Sequence, residues 1–95
     1  MKIRYSKKAL KFLAKQEKAT VTRIRQGIAG LTQKPPVGDM KPMEGYNDGT
    51  MRLRVGTFRI LYNYKTETEV TEDNEKRVIH ILLILDIGNR GDIYK

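Results

Sequence analysis

Three arginines fall on one side of a single stretch, Thr50 to Tyr64, TMRLRVGTFRILYNY. Gly56-Thr57 near its middle, a two-residue loop with glycine first, predicts a type II′ hairpin. Val55 then faces Phe58, Arg54 faces Arg59, Leu53 faces Ile60 and Arg52 faces Leu61. Side chains alternate along a strand and opposed residues share a face. One face therefore carries Leu53, Val55, Phe58, Ile60 and Tyr62, and the other Arg52, Arg54, Arg59, Leu61 and Asn63. Like charges directly across a ladder destabilise it by some tenths of a kcal/mol, up to about 1. Such a face is either a solvated basic surface or an anion site. Planar, permanently charged guanidinium forks suit the oxygens of a phosphate. The tail, GNRGDIYK, adds a further cation, Arg90, and a phenol, Tyr94.

Those side chains need a sheet and something to cover its apolar face. Lys2 to Tyr5 alternates polar and apolar and is expected to form a first strand, with Ser6 as the N-cap of a short helix ending near Gln16. Ala9, Leu10, Phe12 and Leu13 lie on its apolar side. Val21, Ile24, Ile28 and Leu31 mark a second helix, expected to be capped by Thr20 and ended by Pro35-Pro36. The two form an αα-hairpin joined around Glu17 to Ala19, with Arg23 and Arg25 outward. Gly27 and Gly30, each costing up to about 1 kcal/mol in a helix interior, imply close approach to the first helix or the sheet. Met40 to Glu44 reads as a brief edge strand where Pro42 is tolerated, and Asn47-Asp48-Gly49 as a turn. Val78 to Ile87, VIHILLILDI, is apolar on both faces, as an inner strand should be. The polar stretch 65–76 between them is expected to be a solvated extended loop. The sum is a single α+β domain over 1–95: a small, mainly antiparallel sheet packed on an N-terminal αα-hairpin, the arginine face left open.

The 95 residues carry 19 Lys and Arg against 11 Asp and Glu, a net charge of +8. Residues 1–34 hold ten bases and one acid, whereas 65–76 holds five acids against two lysines. Without that segment the chain has 17 bases and 6 acids, a net of +11. Such a field attracts nucleic acid, anionic membrane or an acidic protein. There is no cysteine, which excludes disulfide and thiolate chemistry. His80 is alone, so no histidine-based metal site is expected, and it is read as a paired or solvent-facing strand residue. The longest apolar run, Ile81 to Leu85, falls far short of the roughly 20 residues that span a bilayer. No signal peptide is evident, so the cytoplasm is the expected location.

Lys41-Pro-Met-Glu-Gly45, Met51-Arg-Leu-Arg-Val-Gly-Thr-Phe-Arg-Ile-Leu-Tyr62 and Asp86-Ile-Gly-Asn-Arg-Gly-Asp-Ile-Tyr94, in this order, resemble the RelE/ParE toxin superfamily. The resemblance covers essentially the whole chain. It implies the toxin of a type II toxin–antitoxin pair, neutralised by a cognate antitoxin with an acidic or amphipathic wrapping segment. RelE-like members cleave mRNA on the ribosome without metal or cofactor, by attack of a 2′-OH on the adjacent phosphorus to give a 2′,3′-cyclic phosphate. ParE-like members poison DNA gyrase, and a non-toxic basic nucleic-acid-binding or antitoxin-binding module is a third class. On the RelE-like reading, Arg52, Arg54, Arg59 and Arg90 stabilise charge on phosphorus, and Tyr94 matches the superfamily's C-terminal catalytic tyrosine. Asn89 stands where many members have histidine, Arg52 where they often have lysine, and Thr50 where some have a further lysine.

Overall fold

Ser6 ties the beginning of the chain to its end. In the computed structural model, which describes residues 1–43, 45 and 48–89, its backbone N–H donates to the Ile84 carbonyl (2.9 Å) and its hydroxyl to the Leu85 carbonyl (2.7 Å). The same hydroxyl oxygen accepts from the Ala9 N–H at 3.1 Å, as an N-cap must. Strand β1 (Lys2–Tyr5) thus ends and helix α1 (Lys7–Ala14) begins at one residue. Helix α2 (Lys18–Gly30) follows after a three-residue link, then β2 (Asp39–Pro42), β3 (Met51–Val55), β4 (Phe58–Val70) and β5 (Lys76–Asn89). The sheet order is β1-β5-β4-β3-β2. β1 lies parallel to β5 and every other neighbouring pair is antiparallel.

The hairpin register is the one its sequence predicts, with Val55 opposite Phe58, Arg54 opposite Arg59 and Leu53 opposite Ile60. Gly56 takes φ +58°, the left-handed value that the first loop position of a type II′ turn demands and that glycine adopts without steric cost. Leu53, Ile60 and Tyr62 are buried with Ala9, Leu13, Ile24, Ile28 and Leu31 of the helical side and with Leu82, Ile84 and Ile87 of β5. Val55 and Phe58 pack at the margin of this core. Phe12 meets Phe58 edge-on at 5.9 Å between centroids. Gly27 lets α2 close on β3, since a Cβ there would stand 2.5 Å from Val55 Cγ2. The tight contact at Gly30 is instead with the Val37 carbonyl of the connector.

Two boundaries differ from expectation. α2 starts at Lys18 behind Glu17, whose side chain makes no capping bond, so Thr20 lies inside the helix. It ends at Gly30, and Leu31 completes the apolar stripe from the C-cap position before the prolines are reached.

The larger correction concerns 65–76. It is not a loop: β4 continues to Val70 and β5 begins at Lys76, paired rung by rung from Lys65 opposite Ile81 to Val70 opposite Lys76. Thr66, Thr68 and Val70 alternate with Lys65, Glu67 and Glu69, so β-branched residues that fit a pleated surface fill every second position. Thr71 closes the turn, its N–H donating to the Glu75 carbonyl (2.8 Å) and its hydroxyl accepting from the Glu75 N–H (3.2 Å). The acid Glu67 turns back to Arg4 (2.9 Å) and Lys65 (3.4 Å). β3 leaves β4 at the Met51–Tyr62 rung and β1 leaves β5 at the Lys2–Ile81 rung. Beyond those points the two strands project as a ribbon, which helps make the molecule 47 × 32 × 25 Å.

Where β4 and β5 cross from body to ribbon the register slips. Leu61 is opposite Asp86 but Tyr62 is opposite Ile84, which leaves Leu85 as the extra residue of a bulge. The carbonyl of that residue is the one the Ser6 hydroxyl satisfies.

Candidate functional site

Both helices pack on one face of the sheet, so the arginines of the hairpin lie on the other. Strand pairing sets two rungs across this face. The first reads Asp39, Arg54, Arg59, Gly88 across β2, β3, β4 and β5; the second reads Lys41, Arg52, Leu61, Asp86. Directly opposed Cβ atoms in an antiparallel ladder stand about 4.5–5.5 Å apart, so Arg54 and Arg59 rise side by side from this face. Gly88 beside them adds no side chain.

The two carboxylates of these rungs are drawn elsewhere. Asp39 turns diagonally to Arg52, with Oδ1 at 3.6 Å from Nη1, while the Asp39 carbonyl lies 3.5 Å from the same nitrogen. Asp86 pairs with Lys8 of α1 at 3.1 Å. Arg54 is exposed and has no ion pair or hydrogen bond among the described residues, and Arg59 is half-buried beside it.

Arg52 does not fit the open face expected from sequence. It is only 7% exposed, and Leu61 on the same rung is likewise buried. A guanidinium taken out of water needs an acid and an acceptor to offset its desolvation, and Asp39 supplies both. Arg52 therefore fastens edge strand β2 to β3, and the accessible cations are Arg54, Arg59 and Lys41. Lys41 adds to the site residues expected from sequence. The signal was the alternation of Asp39 and Lys41 in a strand beside β3, legible only once that pairing is known. Arg90 and Tyr94 lie outside the described residues, as does Asn47 of the expected turn. The last described rung of β5 sets Asn89 opposite Phe58, next to that of Arg59.

Thr50 contributes to β3 rather than to the face. It is buried, and its N–H (3.1 Å) and hydroxyl (2.6 Å) both donate to Asp48 Oδ1. Those bonds hold the Asp48 carboxyl below the usual range. Behind the arginines, on the core side, burial pushes the Tyr62 phenol up to about 12, and its hydroxyl has no hydrogen-bond partner. His80 is exposed on the rung of Thr66, seven residues along β4 from Arg59 (66 − 59). The face thus presents fixed cations and no described proton-shuttling side chain.

No group of three or more metal-ligating side chains occurs among the described residues. Nor is any helix among them long and apolar enough to cross a membrane.

No curated protein matches the chain. The fold resembles that of chains in the RelBE2 toxin–antitoxin complex of Mycobacterium tuberculosis, with TM-score 0.62, 21% identity, and 94% of this chain and 96% of that one covered. It is also similar to the RelE–RelB complex of Pyrococcus horikoshii, with TM-score 0.61, 23% identity and 96% of each chain covered. The RelB–RelE antitoxin–toxin complex of Methanococcus jannaschii gives TM-score 0.60 and 22% identity over 96% of this chain and 94% of that one. At these identities the likeness is one of fold. The model of the family described as the ParE toxin of the type II toxin–antitoxin system parDE matches residues 3–94. With both described helices, the arginine hairpin and, but for Lys2, the five described strands inside that match, the chain belongs to the ParE toxin family, within the RelE/ParE superfamily of type II toxin–antitoxin toxins.

Proposed function

We propose that this toxin acts in the cytoplasm as a metal-independent endoribonuclease that cleaves mRNA on the ribosome and so inhibits translation. The observation that carries this reading is the Arg54–Arg59 rung, two guanidiniums on one open face whose neighbouring carboxylates are bound to Arg52 and Lys8. A phosphodiester seated there has its non-bridging oxygens between two planar donors. When the 2′-OH attacks the adjacent phosphorus, the 2′-O–P bond forms and the bond to the 5′-oxygen breaks. Charge builds on the non-bridging oxygens between these donors, where fixed cations lower the barrier most. The 2′-OH gives up a proton and the leaving 5′-oxygen gains one. Arg90 is assigned to the same charge and Tyr94 to orienting the 2′-OH or protonating the leaving oxygen. Arg52 keeps the face in shape. Asparagine at 89 and arginine at 52 are poor proton acceptors near pH 7, so alignment of the RNA by the ribosome carries much of the catalysis.

A cognate antitoxin completes the assignment. The three similar structures are toxin–antitoxin complexes, and ten bases against one acid in residues 1–34 complement an acidic wrapping segment.

Primer extension on an mRNA translated in a purified system, with wild-type protein and Arg59→Ala, tests the reading. Ribosome-dependent cuts at A-site codons that vanish in a folded Arg59→Ala protein are expected. Growth arrest without cuts would transfer the activity to DNA gyrase, the reading that the family's ParE description favours, and supercoiling assays would then decide it.

A further inference from the structure

The tip of the arginine hairpin is met from the helical side by a further cation. Arg23 of α2 is exposed and reaches over the β3–β4 turn. A Cβ built on Gly56 would stand 2.7 Å from its Nη2, 3.1 Å from its Cζ and 3.4 Å from its Nη1, so the guanidinium fills the space a side chain would take. Gly56 is thus needed twice, for its φ of +58° and for the room it leaves. Gly27, one helical turn further along α2, lies against Val55 in the same way. The close packing of α2 on β3 therefore delivers Arg23 to the turn.

No acid among the described residues balances the charge placed there. Arg23 has no ion pair or hydrogen bond among them. Residues 18–30 and 49–64 contain no acid, and Asp39 and Asp86 are paired with Arg52 and Lys8. The sheet ends at the Val55–Phe58 rung, so one rung and a two-residue turn separate Arg23 from the Arg54–Arg59 rung. Arg54 and Gly56 are two residues apart, about 7 Å along a strand. At the same turn the Thr57 hydroxyl is exposed and makes no hydrogen bond among the described residues. A third guanidinium brought this close to two others, with no carboxylate between them, favours an anion.

We infer that Arg23 and the Thr57 hydroxyl form a second phosphate subsite, which holds the phosphate next to the one seated on Arg54 and Arg59. One strand of RNA then runs along the hairpin and over its tip, with the scissile phosphate on the open face and its neighbour on Arg23. Cations placed along a strand in this way follow its backbone without reading its bases. Arg23 touches no reacting atom, so it governs binding and alignment rather than the chemical step. The inference takes its ligand from the endoribonuclease reading, and its test separates the two.

Fluorescence anisotropy with a short labelled RNA, 2′-O-methylated throughout so that it cannot be cleaved, reads the subsite directly. Between about 50 and 250 mM NaCl, each phosphate neutralised on a single strand adds about 0.7 to the slope of log K against log salt. Arg23→Gln should weaken binding roughly tenfold and reduce that slope by about 0.7, as Arg54→Gln should, with an unchanged melting temperature. Arg23→Lys should recover most of the loss. Arg77→Gln should change neither quantity, because its partner Glu69 lies ten residues along β4 from Arg59 (69 − 59). In ribosome-dependent cleavage, Arg23→Gln should raise KM and leave kcat unchanged. An unaltered slope in Arg23→Gln, or an equal fall in Arg77→Gln, would overturn the inference. Slope losses at Arg23 and Arg54 without any ribosome-dependent cutting would uphold the subsite and remove the endoribonuclease reading instead.

Discussion

β4 and β5 live two lives. In the body they lie between β3 and β1 under two helices, and Ile60, Tyr62, Leu82 and Ile84 are wholly buried. In the ribbon the same strands have no neighbours, and their side chains from Lys65 to Glu69 and from Lys76 to Val78 are largely exposed. The body is held by burial. The ribbon is held by its ladder, by β-branched pairs such as Thr68 opposite Val78, and by the Arg4–Glu67 bond at 2.9 Å. The hydrogen-bonded ladder runs on well past the hydrophobic core, so length of strand and strength of fold are separate quantities here.

Breaking the body should cost most. Leu53→Ala or Ile60→Ala is expected to lower stability by about 2–5 kcal/mol in urea unfolding, whereas Thr68→Ala in the ribbon should stay within about 0.5 kcal/mol. Values below about 0.5 kcal/mol at both core positions would mean that the hairpin faces are inverted. Gly27→Ala comes next. The added methyl meets Val55 Cγ2 at 2.5 Å, and overpacking of about 1–3 kcal/mol should outweigh the helical gain of up to about 1 kcal/mol.

Tyr62→Phe sharpens the comparison from the other side. Its buried hydroxyl has no partner, so removing it should leave stability unchanged or raise it by about 1 kcal/mol. The pH profile identifies the cause. Below pH 10 the phenol is neutral in both states. Above that the unfolded chain ionises first, while the fold holds Tyr62 neutral up to about 12, so stability falls across this window. The Phe variant should show a shallower fall between pH 10 and 12.

The smallest effect belongs to the ribbon. Arg4→Ala should leave the melting temperature unchanged within error and appear only as faster amide exchange over Lys65–Val70. It should also return the Glu67 carboxyl, held below its usual range chiefly by the Arg4 hydrogen bond, to ordinary behaviour.

What the sequence revealed follows the same division. Alternation of Leu53, Val55, Phe58, Ile60 and Tyr62 around Gly56-Thr57 leaves one register in which the apolar residues share a face, so the hairpin was legible to the rung. The stripe Val21, Ile24, Ile28, Leu31 located α2, though not its start, because Glu17 begins it without a side-chain signal. Residues 65–76 read as a loop from sequence because their polarity is that of a solvated segment. Their Thr-Glu-Thr-Glu-Val pattern alternates as a strand does, and with both faces exposed the hydrophobic contrast is missing. At the candidate site, Arg54 and Arg59 were legible as an opposed pair. The burial of Arg52 was not, because it depends on Asp39, thirteen residues earlier, arriving in the neighbouring strand.

The Ser6 linkage bears on how the molecule comes into being. β1 pairs with β5 across a sequence separation of 79 residues (Lys2 with Ile81), and Ser6 bonds Leu85 at the same distance. Contacts this remote must close a long loop before they return any stabilisation, and they slow folding. A ribosome that has made the helices and the arginine hairpin has not yet made the strand on which β1 and the start of α1 depend. The sheet is therefore completed only once β5 (Lys76–Asn89) has emerged. A truncated product would lack β5, the core residues Leu82, Ile84 and Ile87, and the anchor for its own first strand.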